Sequence, residues 1–290
     1  MTKISDSVVQ TQVLWQEDFK GPAGRVPSIA YTDASEDGRA YEWQPDIGDG
    51  TGGPGPGWGN NESEYYINDA ISLDGSESGA LVITASKTTD ANGPHGWREH
   101  DNWAYVSGKI TTANRLSFHY GLIEARIKPP TDLGSWSAFW LLGDGLLSGT
   151  AWPECGEIDI LESVGQEPNH LLGTIHGPGY SGDAGVTNKI EHDAALSDNF
   201  HTYSILWLPD SITWFFDDIQ YHQLGPANLG DSPWVFNQPF YAILNLAMGG
   251  NLGGALDDSV ETCSLSVDFV RHSAVQVVEG GPFIGELIRH

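Results

Sequence analysis

Short stretches in which apolar and polar positions alternate recur along this chain, punctuated by Gly, Pro and Asp. The clearest runs from Gly121 to Lys128. Leu122, Glu124, Arg126 and Lys128 fall on one face and Ile123, Ala125 and Ile127 on the other, the two-residue period of a strand. Val13–Phe19 alternates in the same way and breaks at Gly21-Pro22, and Ala80–Ala85 is a short apolar run suited to a buried strand. Further strands are predicted at 172–176, 202–208, 212–217, 240–247 and 264–270. Residues 33–60, rich in Gly, Pro and Asp, read as a long irregular loop ending at Gly57-Trp58-Gly59, and loops of that length in a compact domain are usually functional. Helical periodicity is scarce; the segment 223–236 has room for a turn or two. Strands at such short spacing predict an all-β fold, an antiparallel sandwich and not βαβ units. With no internal repeat, linker or shift in composition, residues 1–290 read as one domain with its core at about 13–272.

Composition supports this reading and narrows the function. The 36 Gly and 16 Pro supply turns, and 11 Trp exceed what a core needs, which points to an aromatic-lined cleft. Trp140, Trp207 and Trp214 are expected in the core. A net charge of −26 repels phosphate and so excludes nucleic acid and acidic membrane surfaces as partners. No apolar run approaches the roughly 20 residues that span a bilayer. The polar stretch Met1–Gln12 lacks the layout of a signal peptide, so either the protein is cytoplasmic or a leader has been removed, and a secreted location with the leader removed is the expectation. The excess of 39 acidic over 13 basic residues fits either adaptation to salt or the ordinary acidity of an extracellular protein. Cys155 and Cys263 stand far apart in sequence; they could form one disulfide, but they define neither a disulfide framework nor a zinc site.

The candidate chemistry lies in Glu157-Ile-Asp-Ile-Leu-Glu162. On a regular strand Glu157 and Asp159 share a face, whereas Glu162, five positions from Glu157, points the other way. A β-bulge at Ile160-Leu161 inserts one extra residue and returns Glu162 to the face of Glu157. Three carboxylates on one face repel one another, a cost seldom accepted without function. A nucleophile and an acid with carboxyl groups about 5–5.5 Å apart are what retaining glycoside hydrolysis uses. An exposed acidic strand explains the charges but not the interleaved apolar residues, and a straight row of ligands does not wrap a calcium ion.

In order along the chain, these residues resemble glycoside hydrolase family 16, the laminarinases (endo-β-1,3-glucanases). The resemblance rests on Trp58-Gly-Asn-Asn-Glu62, Tyr120–Arg126, Gly134–Trp140, Trp152–Glu162, Thr174–Gly179, Phe200–Tyr203, Leu244–Asn251 and Val267–Arg271. It implies a concanavalin-like β-jelly-roll with a concave-face cleft. It also implies Glu157 as nucleophile, Asp159 as its assistant and Glu162 as general acid/base, acting on β-1,3- and also mixed β-1,3/1,4-glucans with no cofactor for catalysis. The resemblance further implies sugar contacts at Asn61, Glu62, Lys109, Trp136, Trp152, His176 and Asn251, with Trp136 and Trp152 as aromatic walls. A structural Ca²⁺ at Asp18, Gly79 and Asp268 follows from the same comparison. The expected partner is the β-glucan itself, met by a monomer. Lys109 stands where relatives commonly carry Arg, and prolines common near the cleft rim are replaced by Ser137 and Leu252-Gly-Gly254. A hydrolase of agar-type galactans and a non-catalytic lectin on the same sandwich are the alternatives.

Overall fold

A computed structural model of the chain describes residues 1–26, 28–30, 41–77, 79–88 and 102–290; positions 33–40 of the expected loop lie outside them. Two mostly antiparallel sheets face each other. One follows the order Ile219–Leu224, Ser211–Phe216, His201–Leu208, Gly121–Lys128, Thr262–Gln276, Leu81–Lys87, Tyr105–Ser107 and Glu64–Tyr66. In this sheet Gln10–Glu17 also pairs with Thr262–Gln276. The other runs Val186–Glu191, His170–His176, Glu157–Val164, Ser135–Gly143, Phe240–Met248, Lys109–Thr111 and Gln44–Pro45. At its edge Leu116–His119 pairs with both Phe240–Met248 and Glu286–Arg289. This is the all-β jelly-roll sandwich.

Alternation dictates how the sheets meet. Ile123, Ala125 and Ile127 from the first sheet turn inward toward Phe139, Leu141, Ile158 and Leu161 from the second, and all are fully buried. Each such Ile, Leu or Phe contributes about 1.5–3 kcal/mol of transfer free energy. The opposite face of Gly121–Lys128 is not left to solvent as simple alternation predicts. Leu122, Leu206, Phe215 and Val275 form a second apolar layer on the outside of the first sheet, covered by Ile4, Val8, Val277 and Ile284.

Several expectations are corrected in detail. The first strand starts at Gln10 and ends at Glu17, and Phe19 lies past its end at φ 49°, fully buried. Within the expected loop, Gln44–Pro45 pairs with Lys109–Thr111, and Pro56–Gly59 forms a 3₁₀ turn. In segment 223–236 the helical content is the 3₁₀ turn Pro226–Asn228, after the end of the strand Ile219–Leu224. Trp207 and Trp214 are core residues as expected; Trp140 is not, being half-buried on the open face of the second sheet. Cys155 and Cys263 are buried free thiols, Cys263 lying 3.6 Å from the Met248 sulfur. Among the described residues no helix is long and apolar enough to cross a membrane.

Candidate active site

The strand Glu157–Val164 lies inside the second sheet, so its register is fixed from both sides. Against Ser135–Gly143, Asp159 pairs with Trp140 but Leu161 with Phe139; against His170–His176, Asp159 pairs with Thr174 but Glu162 with Leu172. Ile160 is the extra residue of a bulge, in the place the spacing predicts. Ile160 and Leu161 both enter the core, the only way two consecutive apolar side chains can be buried together on a strand with one open face. Glu157, Asp159 and Glu162 consequently share the open face.

Each carboxyl has its own partners. Trp152 Nε1 donates to Glu157 Oε2 at 2.6 Å, and Trp136 Nε1 donates to Glu162 Oε1 at 3.2 Å. The hydroxyl of Thr174 donates a longer bond, 3.4 Å, to Glu162 Oε2 and lies 3.0 Å from that of Thr187. His176 Nε2 lies 3.3 Å from Asp159 Oδ2, and one ligand atom from each of Glu157, Asp159 and His176 falls within 4.8 Å of the others. The two tryptophans expected as aromatic walls thus also aim an indole N–H at a carboxylate.

Glu157 and Glu162 keep some solvent exposure, whereas Asp159 is only 3% exposed. Loss of water around the cluster pushes all three carboxyls up. Glu157 rises to about 8, mainly by desolvation and then by the Asp159 charge, with His176 and the Trp152 N–H pulling the other way. Glu162 rises to about 8 by desolvation and Asp159, against His176, Trp136 and Thr174. Asp159 rises to about 7 by desolvation, moderated by a hydrogen bond with Glu157. Around neutral pH the three groups do not all ionise, so the cluster can hold both a proton to donate and a carboxylate to attack.

Beside this cluster the chain 57–62 packs against Gly249–Asn251. Asn61 Nδ2 donates to Asn251 Oδ1 at 2.8 Å, and Asn251 N donates to Asn60 O at 2.8 Å. Gly250, at φ 79°, lets the two segments touch: a Cβ there would lie 3.1 Å from Asn60 O, 3.2 Å from Glu62 Cγ and 3.4 Å from Trp136 Cζ3. The structure therefore brings Asn61, Glu62, Trp136 and Asn251 together next to Glu162.

Beneath them runs a chain of hydrogen bonds that sequence reasoning missed. Trp140 Nε1 donates to Asn245 Oδ1 at 2.8 Å, Asn245 Nδ2 to the Tyr66 hydroxyl at 3.1 Å, and Tyr66 to Glu62 Oε2 at 3.3 Å. Lys109, expected to meet sugar hydroxyls, is buried. Its Nζ sits 3.6 Å from the Trp58 ring centroid and 3.1 Å from Asp46 Oδ2, so what it holds in place is the Trp58 ring. Trp58 and Thr174 lay within segments already singled out, and Trp140 is four positions from Trp136; a strict two-residue period marks Trp136 and Trp140 as sharing a face.

The residues expected to hold a metal come together elsewhere. Glu17 pairs with Val270 and Leu81 with Val267, which brings Asp18, Gly79 and Asp268 to one corner of the first sheet. A Cβ on Gly79 would lie 2.9 Å from Phe19 O. Arg126 Nη1 already holds Asp268 Oδ2 at 2.5 Å, and Asp18 is engaged by Gln16 and Lys20.

Comparison with known proteins bears on this geometry. Residues 60–270 match the family "Glycosyl hydrolases family 16". A β-glucanase of Rhodothermus marinus is 34% identical over 277 residues, covering 92% of this chain and 86% of that protein. An endo-1,3-1,4-β-glycanase of Rhizobium meliloti is 33% identical over 222 residues, covering 73% of this chain and 43% of that protein. Among solved structures, the catalytic domain of an endo-1,3-β-glucanase (laminarinase) from Thermotoga petrophila superposes with a TM-score of 0.77. It is 33% identical, over 92% of this chain and 99% of that one.

Proposed function

The chain belongs to glycosyl hydrolase family 16, and from that premise we propose that it is a retaining endo-hydrolase of β-1,3-glucans that also accepts mixed β-1,3/1,4-glucans. The observation that carries this reading is the bulged strand, which presents Glu157, Asp159 and Glu162 on one face with an indole N–H on each glutamate.

In the proposed mechanism Glu157 attacks the anomeric carbon while Glu162 protonates the departing glycosidic oxygen; Glu162 then deprotonates the water that releases the glycosyl-enzyme. The Trp152 N–H stabilises Glu157 as an anion, and Asp159 shares a proton with it. Neither step calls for a cofactor. Trp136, Trp152 and Trp58 offer apolar faces for sugar C–H groups, and Asn61, Glu62, His176 and Asn251 offer the polar atoms that orient hydroxyls. A lectin on this fold would gain nothing from three carboxyls on one face that repel one another.

Two further elements belong to this reading. A structural Ca²⁺ would be held by Asp268 with main-chain oxygens around Asp18 and Gly79. Arg126 contacts Oδ2 of Asp268, and oxygen donors from separate segments suit that ion. The chain would act outside the cell, where its polysaccharide substrate is met.

Incubation with laminarin, lichenan and agarose, with products sized by chromatography and the first-formed anomer read by NMR, tests the proposal. Laminarin and lichenan should yield oligosaccharides of several lengths with retained β-configuration. Products from agarose alone, or an inverted anomer, would overturn it.

A further inference from the structure

The bulge that turns Glu162 toward the cleft also opens the hydrogen-bond ladder beside it. Between the pairs Asp159–Thr174 and Glu162–Leu172, two residues of the carboxylate strand, Ile160 and Leu161, face Gly173 alone. Main-chain polar groups at such a point lose their cross-strand partners, and a buried one left without a replacement is costly. Here the carbonyl oxygen of Asp159 accepts a 2.8 Å hydrogen bond from Trp214 Nε1. Trp214 is fully buried and belongs to Ser211–Phe216, a strand of the opposite sheet, so this bond crosses the whole sandwich.

The surroundings are shaped to admit the indole. A Cβ on Gly173 would fall 2.6 Å from Trp214 Cδ1, 2.9 Å from Trp214 Nε1 and 2.6 Å from the Tyr221 hydroxyl. No side chain fits there while the ring stays in place. The His222 ring lies against the indole, centroids 5.0 Å apart and planes at 34°. The strand carrying Trp214 has a register shift of its own, between Trp214 and Phe215. A packing role would be met by any large apolar ring; a donor on a main-chain carbonyl at the edge of the bulge is more than packing requires.

We propose that Trp214 is a positioning residue for the hydrolytic reaction. Its N–H pins the bulge from the opposite sheet and thereby fixes the direction from which Glu162 reaches the glycosidic oxygen, and Gly173 is bare so that the ring can do so. Trp214 touches neither the sugar nor the reacting atoms. The inference rests on Glu162 being the proton donor, as proposed above.

Leaving-group dependence tests it. A polysaccharide leaving group needs protonation, whereas 2,4-dinitrophenolate departs unaided, so a misdirected acid slows the first far more than the second. kcat/KM, which reports the glycosylation step, is measured on laminarin and on a 2,4-dinitrophenyl β-laminaribioside. The proteins are wild type, Trp214→Phe, Gly173→Ala, Glu162→Gln and Trp207→Phe. Trp207 is an equally buried indole of the same sheet that donates to Phe236 O at 3.0 Å, and so reports loss of a core hydrogen bond alone. Trp214→Phe and Gly173→Ala should each lose at least tenfold on laminarin and less than threefold on the aryl substrate, while Trp207→Phe changes both by the same factor. Trp214→His, which keeps a ring N–H, should recover part of the laminarin rate. If Trp214→Phe does not fold, Gly173→Ala carries the comparison. Equal losses on both substrates, or a laminarin rate within threefold of wild type, would overturn the inference while leaving the proposed function intact. A Glu162→Gln variant without leaving-group dependence would instead remove the acid assignment.

Discussion

Trp152→Phe separates two uses of one side chain. The ring is 43% exposed and offers a face to a sugar, while its N–H donates a 2.6 Å bond to Glu157. Phenylalanine keeps a face and removes only the donor. A hydrogen bond to a charged group contributes about 1.5–3 kcal/mol, and partial exposure argues for the lower end. About 1.4 kcal/mol corresponds to one pKa unit. Losing the donor disfavours the anion, so a carboxyl already raised by desolvation and by Asp159 rises further. The ionised nucleophile then appears only at higher pH. The acid limb of kcat/KM on laminarin should move about one unit alkaline, and the rate on that limb should fall about tenfold. KM on the plateau should change little, because the face survives. The measurement is a pH–rate profile of wild type, Trp152→Phe and Trp152→Ala. If Trp152→Phe raised KM without moving the acid limb, the indole would be a sugar platform only and the electrostatic argument would fail.

Other expectations follow from the same cluster. Glu157→Gln and Glu162→Gln should each lower kcat on laminarin by at least about a thousandfold while the far-UV circular dichroism stays unchanged; wild-type turnover in either would remove it from the mechanism. The folded-state pKa values of Glu157 and Glu162 lie near 8, above their unfolded values, so the folded chain binds more protons than the unfolded one between about pH 4.5 and 8. Stability should therefore fall as pH rises through that window. Either Gln substitution should flatten the fall in a melting-temperature series, and an unaltered slope would contradict the assigned shifts. Gly250→Ala places a side chain at φ 79° against Asn60 and Glu62; it should cost about 1–2 kcal/mol in urea unfolding and weaken laminari-oligosaccharide binding in calorimetry. Added Ca²⁺ should raise the melting temperature and a chelator lower it; indifference to both would mean that Arg126 already neutralises Asp268.

How much of this was legible in the chain varies with the range of the interaction involved. The bulge was readable because spacing and polarity agree. Glu162 must join Glu157 while Ile160 and Leu161 are both apolar, and one inserted residue reconciles the two. Trp140 was readable but masked by the general habit of tryptophan to be buried; its period-two partner Trp136 places it on the open face. The indole N–H contacts were not readable. Trp136 reaches Glu162 only through the strand register, and Trp152 reaches Glu157 only through the conformation of the turn between them. The Tyr66–Asn245 bond joins residues 179 positions apart, and the Lys109–Trp58 contact depends on where the loop before residue 60 returns to the sheet. Local pattern carries no information on such meetings.

The apolar layer on the outer side of the first sheet bears on how the molecule can be handled. Ile4 and Val8 are clamped there, with Ile4 N bonded to Asp218 O, so the residues preceding Ile4 emerge on the side opposite the carboxylates. A protein tethered to a bead or chip through that end would stand with its cleft facing the bulk solution. Every copy would then be oriented to engage an insoluble glucan.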